Sequence, residues 1–257
     1  LKKTERLYNL YAPAGKQFNN YSIDYSYTHK NWHFFGETAL SWHKHLATVN
    51  GILMSVDSKA DLGILYRNIS PGYYAFYGNA FTEQATVSNE QGLYAGISIR
   101  PVNSWRIDAY FDYYKFPWLK YQVNKPVQGI DYLVQATYKP DKKLEIYIRY
   151  KTASTNANEV SEENILTPVS KKMIQSIRAN LTCKLNKEIT IRNRAELVYY
   201  NKNIKSAQNG FLAYLDLIYK PLQSKISGNL RIQYFETDGY DSRLYAYEND
   251  VLYSSSI

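Results

Sequence analysis

One cysteine, Cys183, stands alone in the 257 residues, so no internal disulfide can staple this chain. It sits in the alternating run ANLTCKL, where a small apolar side chain packs readily. No run of 18 or more apolar residues occurs, which excludes a transmembrane helix and leaves a strand-built span open. The 8 prolines fall between alternating runs, as a strand-dominated chain requires, because proline removes a ladder donor. Leu1 follows no initiator Met and no signal peptide, so the chain reads as a processed or partial piece of something longer. The net charge is +8, yet Lys and Arg are scattered, with no dense basic run and no basic helix. Nucleic acid is therefore not an expected partner of this segment.

Tyrosine is what the chain has in excess: 27 Tyr against 9 Phe and 4 Trp. Tyr suits places where one end of a side chain is apolar and the other wet. From Trp105 to Lys151 the sequence alternates with period two, the signature of a strand with two unlike faces. Trp105, Ile107, Ala109, Phe111 and Tyr113 form one uncharged set, continued by Ile130, Tyr132, Val134, Ala136 and Tyr138, and by Leu144, Ile146, Ile148 and Tyr150. The intervening positions carry Arg106, Asp108, Asp112, Asp131, Glu145 and Arg149.

The same pattern recurs along the whole chain, with no helical period and no linker, so a single all-β domain over residues 1–257 is expected. With a first strand at 4–11 and a last at 243–253, the count comes to about fourteen strands. Connections at 30–31, 56–59, 101–104, 139–143, 186–187 and 221–224 are short. Those at 69–89, 116–127, 152–170, 201–209 and 236–242 are longer, and only 43–45 breaks the rule. Short turns at one end and long loops at the other are the asymmetry of an up-and-down transmembrane antiparallel β-barrel, with turns periplasmic and loops extracellular. Under that rule Leu1 starts in the periplasm. Lys or Arg facing lipid at mid-depth costs about 2–4 kcal/mol, which gives the alternation its cause: charge crowds onto the lumen face. A soluble sandwich or lipocalin-like barrel leaves the loop asymmetry unexplained.

Four strings carry a resemblance: LYRNISPGYYAFYGNAFTE at Leu65–Glu83, NEQGLYAGISIRP at Asn89–Pro101, AYFDYYKFPWLKYQV at Ala109–Val123 and RLYAYENDVLY at Arg243–Tyr253. They resemble the barrel portion of Bacteroidota outer-membrane proteins whose full-length members carry an N-terminal helix-hairpin-helix segment. That resemblance implies a Gram-negative outer-membrane location, a helix-hairpin-helix part preceding Leu1, and a barrel that continues past Tyr253. Outer-membrane lipid and lipopolysaccharide would then be partners, with other envelope proteins as a further class in a membrane complex.

No catalytic residue, metal ligand or cofactor is expected. His29, His33, His43 and His45 lie close in sequence without a carboxylate pair to complete a metal shell, and Ser41 near His43 does not make a triad. The functional candidates are the charged set Arg106, Asp108, Asp112, Asp131, Glu145, Arg149, Arg178, Arg192, Arg194, Glu196, Asp216 and Arg231. One reading makes them cross-strand pairs filling a wet interior. A sharper reading makes Arg178, Arg192 and Arg194 a basic patch in a porin-like, anion-favouring lumen. The aromatic-rich segment 69–89 could plug that lumen or contact a partner. Expected roles are thus a channel or translocation component, a structural or accessory subunit without transport, or, third, a barrel hydrolase.

Overall fold

The computed structural model describes residues 6–41, 44–158, 168–201, 207–223 and 226–248. It is all-β: twelve antiparallel strands form one sheet in strict chain order. These are β1 (Asn20–His29), β2 (Trp32–Ser41), β3 (Leu46–Asp57), β4 (Ala60–Ile69), β5 (Glu90–Ile99), β6 (Trp105–Phe116), β7 (Val127–Tyr138), β8 (Leu144–Asn158), β9 (Val169–Lys184), β10 (Ile189–Asn201), β11 (Gln208–Tyr219) and β12 (Gly228–Thr237). By its contacts the chain divides into two compact units. One comprises 1–99, 108–133 and 153–173, the other 100–107, 134–152 and 174–257.

Two of the expected strands are absent from the described residues. Leu7–Asn9 is a 3-10 turn, closed by Asn9 N–H to Arg6 O at 2.8 Å and Leu10 N–H to Leu7 O at 3.1 Å. Leu7, Leu10 and Tyr11 have helical rather than alternating spacing, and that local preference prevails. Residues 7–19 therefore lead into the long-loop end of β1, not upward from the short-turn end. At the other terminus, residues 243–248 form no strand, and the rest of the expected 243–253 strand lies outside the described residues. After Thr237 the chain turns through a 3-10 turn at Tyr240–Ser242 and packs back onto β10 and β11.

The pairing register decides the faces. Across β1–β5, Tyr25 opposes Gly36, Gly36 opposes Asn50, Asn50 opposes Tyr66, and Tyr66 opposes Leu93. The face these residues share carries no Asp, Glu, Lys or Arg, apart from Asp57 beyond the bulge that follows Ser55. The opposite face holds Asp24, Glu37, Asp61, Arg67 and Glu90. In the second unit the register of β10–β12 repeats the division. Leu197, Leu215, Leu217, Leu230 and Ile232 share one face, whereas Arg192, Arg194, Glu196, Asp216 and Arg231 share the other. Glu236, at the end of β12, is the exception, and it accepts the Tyr234 hydroxyl at 2.9 Å.

Burial is inverted relative to a water-soluble sheet. Ile23, Leu93, Leu197, Leu215 and Ile232 are exposed, while Arg67, Glu90, Asp112 and Asp216 are buried. Aromatics stand toward the strand ends of the uncharged face. In the first unit Tyr27 and Trp32 lie at the short-turn end and Tyr21 and Tyr113 at the long-loop end; in the second, Trp105 packs on Tyr138 at 5.0 Å at the short-turn end.

The short turns are held by side-chain caps. Asp141 accepts N–H bonds from Lys143 at 2.7 Å and Leu144 at 2.9 Å, which holds its carboxyl below the usual range. Asn186 does the same for Glu188 and Ile189. Glycine matters where a large side chain crosses to the next strand. Tyr114 lies over Gly129, where a Cβ would fall 2.3 Å from its ring, and its hydroxyl donates to Ser154 O at 2.5 Å. Overpacking a buried position costs roughly 1–3 kcal/mol. Gly129→Ala should therefore lower the unfolding midpoint more than Tyr114→Phe, which removes a single hydrogen bond; comparative equilibrium unfolding of the two variants checks the order.

Candidate functional site: a buried ionic cluster beneath segment 70–89

The segment joining β4 to β5 packs onto the charged face of its own unit. Tyr73 and Val87 sit on Ala39, Ala47 and Ile69, whose side chains point to that face. Alanine at 39 and 47 leaves room for the tyrosine ring. The segment is thereby anchored at both ends of its course, and its middle covers a cluster of charges.

Arg67 of β4 is the centre of that cluster, with no solvent exposure. Its Nε donates to Glu90 Oε1 at 2.6 Å, and its two terminal nitrogens grip both oxygens of Asp112 at 2.9 and 3.0 Å. One guanidinium thus ties β4, β5 and β6 together. A bidentate fork of this kind is the strongest geometry available to an arginine–carboxylate pair. Arg67 opposes Gly92 across the ladder, and a Cβ at Gly92 would meet the guanidinium carbon at 2.4 Å. Only glycine leaves that space. Segment 70–89 closes over the cluster: Glu83 N–H donates to Glu90 at 3.0 and 3.1 Å, and the Arg67 guanidinium lies 5.5 Å from the Phe81 ring. Asp131 of β7 accepts the Tyr110 hydroxyl at 3.2 Å.

Glu83 is the outermost of four carboxylates here. Glu83 keeps an exposed side; partial removal from water, then the negative charges of Asp112, Asp131 and Glu90, push its carboxyl up to about 7, against a smaller opposing pull from Arg67. Lys120, from the β6–β7 loop, is lowered by burial, with Glu90 and Glu83 acting the other way. Its ammonium lies 3.4 Å from the centre of the Phe116 ring.

The second unit holds its own paired charges. Glu196 stands between Arg178, at 2.9 Å, and Arg194. Asp216 takes Arg231 through two bonds of 2.6 and 2.7 Å, and Arg231 also lies over Tyr214 at 4.2 Å and donates to Tyr247 O at 2.8 Å. Arg192 is exposed and opposes Asp216 in register. The expected basic patch is therefore threaded by two carboxylates. Of the remaining candidates, Asp112 and Asp131 join the Arg67 neighbourhood and Asp108 is half-buried. Glu145 pairs with Lys139 at 2.6 Å, Arg149 donates to Gln135 Oε1 at 2.7 Å, and Arg106 is exposed.

Arg67 and Glu90, the centre of the site, are missing from the charged set read from sequence. Arg67 was legible, since it alternates with Ile64 and Tyr66 in phase with Asp61. Glu90 is the first residue of β5, at the edge of the 69–89 connection, where alternation has not yet begun to report a face. Glu83 lies in a loop, where no periodicity reports a face.

The histidines disperse. His33 Nδ1 lies 2.8 Å from Thr28 Oγ1, His29 stacks on Tyr27, His45 meets Tyr11 edge-on, and His43 lies outside the described residues. Among the described residues no group of three metal-ligating side chains comes together. No protein-family model matches the chain, and no curated protein matches it.

Two outcomes follow from this geometry. Removing one member of a buried ion pair costs roughly 3–5 kcal/mol, because the remaining charges are left uncompensated. Arg67→Met should destabilise the protein by that order, and Arg67→Met with Asp112→Leu by less than the single change, as measured by equilibrium unfolding. Glu83 supplies a pH dependence. Its packed-state pKa of about 7 exceeds the ordinary 4.5, so packing is favoured in full below 4.5 and loses that advantage as pH rises through about 7. A spin label at Tyr77→Cys, with Cys183→Ser, should gain mobility between pH 5 and pH 8, and Glu83→Gln should flatten the change.

Proposed function

We propose that this chain is an integral outer-membrane β-barrel protein whose interior is filled in the resting state, acting as a structural or accessory subunit of an envelope assembly. The observation that carries the membrane part is the charge-free face. Soluble monomers rarely leave contiguous apolar patches beyond a few hundred Å², and here the uncharged face exposes Ile23, Ile64, Leu93 and Ile97 in the first unit and Leu215 and Ile232 in the second. Hydrocarbon is the medium that suits it, and strands of 10–16 residues reach across a bilayer core when tilted. Tyr and Trp toward the strand ends fit the interfacial girdles, and the short-turn, long-loop asymmetry fits an up-and-down barrel with turns in the periplasm. In this reading the sheet closes on itself, since open edges invite aggregation. The resemblance of the 65–83 and 109–123 strings to the Bacteroidota barrel family points to the same membrane.

The observation that favours a filled interior is the ion pairing. A conducting wall presents solvated charge, whereas Arg67, Glu90, Asp112 and Asp216 are buried and paired beneath segment 70–89 or beside residues 239–248. A channel or translocation component is the second reading, favoured by the exposed Arg106 and Arg192. In that case segment 70–89 is the part that must move.

Planar-bilayer recording separates the two. The folded protein should give no steady current, and replacing 73–87 by a short Gly/Ser linker, which uncovers the ionic cluster, should allow one. Steady ohmic conductance of the unaltered protein would overturn the filled-interior reading. The membrane reading is tested by Leu215→Arg on the uncharged face. That change should cost about 2–4 kcal/mol on folding into lipid vesicles, and equal folding yields with and without lipid would sink it.

A further inference from the structure

A recess at the long-loop end of the first unit has a lining unlike the ionic cluster beside it. It has a volume of about 360 Å³, within the range of small-ligand sites. Three segments meet there: the N-terminal 3-10 turn and the residues after it, both ends of segment 70–89, and the β6–β7 loop. Tyr8, Tyr11, Tyr74, Trp118 and Tyr121 supply five aromatic rings. Gln84, Thr86, Ser88 and Asn89 add amides and hydroxyls, and Lys120 is the one charged side chain in the lining.

The rings are held in place rather than loosely collapsed. Asn89, at φ 52°, clamps Trp118 from both sides of its backbone: its Oδ1 accepts the Trp118 N–H at 2.8 Å and its Nδ2 donates to Trp118 O at 3.0 Å. The indole Nε1–H donates to Leu7 O at 3.1 Å. With its polar edge satisfied, the indole offers the recess its π surface. Tyr11 meets it edge-on at 5.1 Å, and Tyr121 meets Tyr8 edge-on at 5.8 Å, with Tyr121 itself exposed.

We propose that this recess is a carbohydrate-binding site, taking a sugar ring against Trp118 and Tyr121. A pyranose has an apolar C–H face that lies on an aromatic ring and a rim of hydroxyls that asks for amides and hydroxyls, and the lining supplies both. The other ligand classes fit worse. A cationic ligand finds no carboxylate in the lining. An acyl chain would bury against the Thr86 and Ser88 hydroxyls and offer them no partner. Lys120 adds a preference for sugars that carry an acid group. The site stands apart from the membrane reading, since it depends only on contacts within one unit. If that reading holds, the long-loop end faces outside and the sugar belongs to surface glycan.

The test uses the full chain folded in detergent and saturation-transfer NMR. The probes are galactotriose, trigalacturonate, decanoate as an acyl control and benzyltrimethylammonium as a cationic control. Both trisaccharides should receive saturation through their ring protons, and the controls should not. Tyr121→Ala, at an exposed position, should weaken both sugars about tenfold, equivalent to about 1.4 kcal/mol. Lys120→Gln should weaken trigalacturonate and leave galactotriose unchanged. Unchanged far-UV circular dichroism establishes that both variants fold. No transfer to either sugar, transfer to decanoate instead, or sugar binding indifferent to Tyr121→Ala would each overturn the assignment.

Discussion

A strand offers a charged residue two faces, and in this protein one of them is almost closed to charge. That constraint orders everything else. Each strand must place its Asp, Glu, Lys and Arg on a single side, so those groups face one another across the ladders. Once there, they are too crowded for water to serve all of them, and ion pairing takes over. Arg67 with Asp112 and Glu90, and Arg231 with Asp216, are results of that crowding. Such pairs are not strong arguments for stability by themselves, because desolvation offsets much of the attraction. What they supply is specificity: a one-residue slip of β4 would carry Arg67 to the face where no partner exists.

The strand order, nearly every strand boundary and the division of faces were legible because period two survives in a single sequence. Boundaries failed where polarity replaced apolar alternation. β8 runs on to Asn158, into residues 152–158 read as loop, because Thr152 and Ser154 are small polar groups with partners of their own, Thr152 on the Tyr150 hydroxyl of the same strand and Ser154 on β7. Ser154 Oγ accepts the Ile130 N–H at 2.7 Å and donates to Ile130 O at 3.1 Å. No hydropathy pattern signals such a strand. The termini failed for a related reason. Residues 7–11 follow their own helical spacing and are pinned by Trp118, and Tyr240–Ser242 packs on β10 and β11.

The candidate site was half legible. Asp112 and Asp131 follow directly from the alternation. Their partners on β4 and β5, and the Glu83 that covers them, depend on which loop folds over which face, and loop packing leaves no periodic trace. The aromatic richness of 69–89 was visible; its docking by Tyr73 and Val87 onto two alanines was not. Small residues at 39 and 47 were the available clue, since they leave a hollow in a face otherwise lined by longer side chains.

The strict chain order of the strands has a consequence for how the molecule is made. Every ladder joins sequence neighbours, so loop closure costs little and each new hairpin can align on the one already formed. Segment 70–89 breaks that local logic. Its Glu83 and Phe81 settle on an arginine whose fork is completed only by Asp112, twenty-nine residues after Glu83 in the chain. The covering segment therefore waits for strands that follow it, and it docks after the wall beneath it has been built.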